Sequence, residues 1–105
     1  MSDQFSAEDI AVNWQQGTLL RNEIEDYFEN QVPAFGQLST IAQSRCVTLA
    51  HSLFMHCNYN VPLSSSLKSF VEGDLRMFLA KADAQTVEAA RPLEIFYHNV
   101  ASRFL

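Results

Sequence analysis

The sequence predicts an all-α fold, an antiparallel bundle of four to five helices in one domain spanning residues 1–105. Three observations predict it. The chain has 105 residues, 48% of them apolar and eight of them phenylalanine, enough for one hydrophobic core. It has only three glycines and three prolines, too little punctuation for many short strands and ample for a few long helices. Its apolar residues recur at three- and four-residue spacing in four separate stretches.

The first helix is expected over residues 6–30. Ser6 followed by Glu8 and Asp9 reads as an N-cap with first-turn acids, which suit the positive end of a helix dipole. Ile10, Trp14, Gly17, Ile24 and Phe28 share one face, with Leu20 and Tyr27 beside them. Gly17 weakens the helix but permits close approach of a neighbour. Arg21 falls on the apolar side, to snorkel or to pair with an acid. Pro33 and Gly36 mark a turn.

The second helix is expected over residues 39–57. Leu38, Ala42, Cys46, Leu49 and Leu53 make its main face, and Val47, Ala50, Phe54 and Cys57 widen it to half the circumference, the pattern of a central helix. Asn58-Tyr59-Asn60-Val61-Pro62 ends it. A third helix follows Ser64-Ser65-Ser66, with Leu67, Phe70, Val71, Leu75, Phe78 and Leu79 as its stripe. A fourth is announced by Asp83, an N-cap three residues before Thr86. It runs to about residue 104 and is kinked or broken near Pro92, whose ring removes a hydrogen bond and clashes with the preceding turn.

The densest chemistry lies in CVTLAHSLFMHC, Cys46 to Cys57. On one helix these cysteines stand ~16 Å apart along the axis, too far for a disulfide or a shared metal ion. His51 and His56 point ~140° apart and lack the i, i+4 spacing of a helical metal site. His98 could join one of them, so a metal-binding or enzymatic bundle using Cys46, His51, His56, Cys57 or His98 stands as an alternative. The stretch itself reads as a core helix, with no metal and no cofactor expected. Ser65 and Lys68 match S-x-x-K, yet the companion motifs of that serine chemistry are missing. The sequence reads as a non-enzyme.

Charge supplies the functional expectation. The net charge is −5. Residues 1–35 carry seven acids against Arg21 alone, whereas the remaining basic residues are scattered. A phosphate-neutralising stripe is absent, which argues against direct nucleic-acid binding. Glu23, Glu25, Asp26 and Glu29 form an acidic cluster suited to a protein partner with a basic surface. Val12, Leu19, Met55 and Ile95 stand outside the apolar stripes. The broad faces of the second and fourth helices suggest a homodimer, with Ile95 and Phe96 at the contact. The expected function is a small cytoplasmic interaction protein: a regulator, inhibitor, adaptor or chaperone. One version is a phage-type inhibitor occupying the basic groove of a nucleic-acid-binding machine. No membrane span is expected, since no window approaches ~20 apolar residues.

Overall fold

Ser6 caps the first helix by exchange: its hydroxyl accepts the Asp9 N–H, and the Asp9 carboxylate accepts the Ser6 N–H. Two otherwise unsatisfied donors are thereby used. In the computed structural model, which describes residues 5–105, α1 (Ala7–Gln16) is short. Gly17 takes φ +73°, and its N–H and that of Thr18 close back onto Trp14 and Asn13. This left-handed cap stops the helix, because glycine adopts that backbone without the Cβ penalty of other residues. The continuous helix expected over residues 6–30 is therefore two, and α2 (Arg21–Gln31) restarts after a short link. Gly17 also admits a neighbour, since the Tyr59 hydroxyl donates to its carbonyl at 2.6 Å.

Pro33 opens a one-turn helix, α3 (Pro33–Gly36), where a missing N–H costs nothing. The central α4 (Thr40–Tyr59) is capped by Ser39 and ends at Asn60, φ +58°. The third expected helix is again two: α5 (Ser65–Val71), capped by Ser64, and α6 (Leu75–Lys81), capped by Asp74. Gly73 at φ +80° turns the chain between them. The fourth segment divides into α7 (Ala84–Glu88), capped by Asp83, and α8 (Ala90–Asn99), followed by a 3₁₀ turn (Ala101–Arg103). Pro92 sits in the first turn of α8, where its absent N–H has no intrahelical acceptor to lose. Its ring would have crowded Glu88 in a continuous helix. The described residues thus hold eight α-helices and no strand, more and shorter helices than four or five.

These helices make a flattened body of 43 × 30 × 18 Å. An 18 Å thickness accommodates two helix layers at a spacing of about 8–10 Å. α4 packs on α2, α7 and α8. Between them lies one core containing Ile10, Trp14, Ile24, Phe28, Leu53 and Phe96. Its centre is aromatic. Trp14 stacks on Phe104 at 5.3 Å and meets Phe54 edge-on, while Phe28 stacks on Phe35 and touches Phe96. Each such pair adds about 0.5–1.5 kcal/mol to its area burial. The Trp14 indole N–H has no acceptor among the described residues, an omission of the order of 1–3 kcal/mol that the packing offsets.

Polar links set the helices' positions at the rim of this core. Arg21 pairs with no acid among the described residues. Its guanidinium donates to the Thr48 hydroxyl and to the Ser44 carbonyl, tying α2 to α4. Arg45 donates to Asp83 and to the Thr86 hydroxyl, tying α4 to α7. Ser39 donates its N–H to Glu88, and Arg103 forms a two-pronged pair with Glu8.

Candidate functional site

The predicted acidic cluster lies on α2, and the fold divides it in two. Glu23 is half-buried. One of its oxygens accepts the Leu20 N–H at the start of α2 and the Asn13 side-chain amide. Asp26 is also half-buried, and its carboxylate accepts the Phe5 N–H and the Asn30 amide. Both acids organise the junction of α1 and α2. Glu25 and Glu29 are exposed, one turn apart, and make no hydrogen bond or ion pair with any described residue. They are the part of the cluster left open to a partner.

The residues assigned to a self-association face fall differently. Phe96 is fully buried among Trp14, Tyr27 and Phe28 and offers nothing to a second copy. Ile95 is half-buried against the same core, as is Met55. The broad apolar faces of α4 and α8 are covered inside one chain: α4 packs on α2, α7 and α8, and α8 also packs on α3, α7 and the 3₁₀ turn. Leu19, expected to point away from the core, is buried, and Leu20 is exposed instead. Gly17 explains the exchange: once the helix stops there, the residues after it no longer follow the register of α1.

A surface absent from the sequence reading appears on α6. Leu75, Met77 and Leu79 are 64%, 42% and 46% exposed, and Phe78 alone is buried. Leu75 and Leu79 had been expected in the inward stripe of one long helix. The signal that reveals the change is Gly73-Asp74, a left-handed stop followed directly by an N-cap. Beneath Leu75, a small groove of 160 Å³ is lined by Phe70, Gly73, Phe78 and Glu94.

The cysteines and histidines do not converge. Cys46 is buried, and loss of hydration pushes its thiol up to about 12. Cys57 is exposed and free, with its thiol directed at the Phe104 carbonyl at 3.6 Å. His51 lies against the Phe54 ring at 5.8 Å, and burial together with the nearby Arg21 charge lowers its pKa. His56 bonds through Nδ1 to the Val61 carbonyl, and His98 is exposed in the last turn of α8. Among the described residues no three His, Cys, Asp or Glu side chains gather in a way that could hold a metal ion. Ser65 opens α5 behind the capping Ser64, and Lys68 is exposed one turn on. No described helix is long and apolar enough to cross a membrane. No protein-family model, curated protein or solved structure matches the chain.

Proposed function

We propose that this chain is a non-catalytic protein-interaction module, acting as a regulator, inhibitor, adaptor or chaperone, which captures a basic protein partner on the outer edge of α2. The observation that supports this reading is the open pair Glu25 and Glu29, beside two acids that the fold has already employed. Two like charges at i, i+4 repel by a few tenths of a kcal/mol. A basic surface relieves that repulsion and gains association rate from the field of the acidic half. A phage-type inhibitor filling a basic groove would be one form of such a module. The reading carries a cytoplasmic setting, in which the free thiols of Cys46 and Cys57 stay reduced.

A second reading rests on a different observation, the exposed Leu75, Met77 and Leu79 of α6. It gives the chain a self-association face on the α5–α6 pair in place of the covered faces of α4 and α8.

The test compares the unmodified chain with the double variant Glu25→Lys, Glu29→Lys. Both positions are exposed, so helicity should not change. The unmodified chain should capture basic proteins from its host at low salt and release them as salt rises, and the variant should capture none of them. An identical set of captured proteins on both chains, with the same salt response, would leave the acidic edge as a solvated surface.

A further inference from the structure

A cleft of about 440 Å³ opens between α4, the segment leading into α5, and the junction of α6 with α7. The reading of the α2 edge does not involve it. Its electrostatic character opposes that of the chain as a whole. Arg45 and Lys81 line it, and Asp83 is its only acid among the described residues. That acid and Arg45 occupy each other, since Asp83 accepts from Arg45 as well as from the Thr86 N–H. Lys81 has no hydrogen-bond or ion-pair partner among the described residues. A third cation, Arg21, abuts the wall through its bond to Thr48. Two of the chain's seven basic side chains therefore line this cleft against a single acid, in a molecule of net charge −5, and Arg21 stands outside the lining.

The hydroxyls of the wall sharpen this. Thr48 Oγ1 accepts from Arg21, Thr86 Oγ1 accepts from Arg45, and Ser64 Oγ accepts the Leu67 N–H. The protons of Thr48 and Ser64 therefore remain for donation elsewhere, whereas the Thr86 side chain also bonds to the Asp83 carboxylate and Ser52 donates to the Thr48 carbonyl. Ser66, also in the wall, has no hydrogen-bond partner among the described residues. The lining therefore offers the unpaired ammonium of Lys81, the remaining N–H groups of Arg45 and the hydroxyl protons of Thr48, Ser64 and Ser66. A carboxylate has two oxygens to satisfy them. A phosphoryl group has three, and its charge is greater. The volume exceeds what a bare phosphate requires and falls in the range of about 300–1,000 Å³ typical of small-molecule sites. Leu49, Pro62 and Leu67 supply the apolar part of the wall, and no aromatic ring lines it to stack a nucleobase.

We infer that this cleft binds a small phosphorylated molecule with a short aliphatic or polyhydroxylated body, held through its phosphoryl group by Arg45, Lys81 and the wall hydroxyls. The test is a titration of the ¹⁵N-labelled full chain, followed by amide chemical shifts, with glycerol phosphate, inorganic phosphate and acetate as probes. Glycerol phosphate should give saturable shifts concentrated at Thr48, Ser66, Lys81 and Thr86. Phosphate should bind the same amides more weakly, and acetate should leave them in place. Lys81→Gln removes one charge-assisted bond and should weaken glycerol phosphate roughly tenfold without altering the melting temperature. Lys68→Gln, an exposed cation of α5 outside this wall, should change nothing. The inference is overturned if the shifts fail to saturate in the millimolar range, if acetate competes equally, or if Lys68→Gln weakens binding as much as Lys81→Gln. It is also overturned if a phosphoserine peptide binds the cleft while the small phosphates do not.

Discussion

The aromatic body and the α5–α6 hairpin are built from equally apolar sequence, yet they bury it to different degrees. In the body, α4 and α8 pack on each other and on α2, α3 and α7, and Trp14, Phe28, Phe54 and Phe96 are all enclosed. α5 and α6 pack chiefly on each other. Phe70 and Phe78 meet at 5.4 Å and Phe70 reaches Tyr97, but Leu75, Met77 and Leu79 face outward. A stripe becomes core only where a second layer arrives to cover it. The hairpin therefore has a feature of a locally less stable unit: few of its apolar side chains are buried.

The strongest way to break this comparison is to delete one ring from each region. Phe96→Ala should cost about 3–5 kcal/mol, since it empties a fully enclosed aromatic site. That is a large fraction of the roughly 5–15 kcal/mol that holds a domain folded, so chemical denaturation should show the whole chain destabilised. Phe78→Ala should instead release the amides of α5 and α6 to rapid hydrogen exchange while α4 stays protected. Simultaneous loss of protection in α4 would show that hairpin and body form one cooperative unit.

The next effect comes from the stop between α1 and α2. Gly17→Val places a β-branched residue at φ +73°, which costs about 1–2 kcal/mol from backbone strain alone. Contact is the lesser cause, because a Cβ there would stand 3.4 Å from the Tyr59 hydroxyl, within ordinary range. Thermal melts should show the loss. An unchanged melting temperature would mean that the body tolerates one continuous helix after all.

A smaller effect is expected at Asp83, where the body meets the hairpin's exit. The Arg45 guanidinium, and then the Thr86 backbone and side chain, hold its carboxyl down to about 2, against an ordinary value of 3.8. The folded state thus binds fewer protons than the unfolded one. Its contribution is complete above about pH 4 and disappears as pH falls towards about 2. Asp83→Asn keeps an N-cap but loses the ion pair. It should melt below the unmodified chain at neutral pH, and the two should converge as pH falls through that window. A difference that persists below it would assign the loss to packing.

The smallest effect sharpens the contrast from the other side. Leu75→Gln with Leu79→Gln should change stability by no more than about 0.5 kcal/mol per site, the usual range for surface positions. The same double change at buried Leu53 and Leu93 would be severe. If the α6 pair proves strongly destabilising, the face is covered in solution, and light scattering would then report whether a second copy covers it.

Local chemistry in the sequence determined the helical class, the cap at each of Ser6, Asp83 and the serine run, the start of α4 near Ser39, and the buried side of α4. Those outcomes depend on residues within a few positions of one another, so spacing and side-chain type suffice to read them. Gly17 and Gly73 were visible as well, but whether a glycine interrupts a helix or is absorbed by it depends on what the neighbouring elements gain. Tyr59, 42 residues away, bonds to the Gly17 carbonyl. Tertiary structure alone decided which acids remain open, because the acceptors at Glu23 and Asp26 are claimed by Asn13 and Phe5 from the preceding helix and its approach. It also decided which apolar residues face water. Burial is a property of two surfaces, and a one-dimensional pattern describes only one of them.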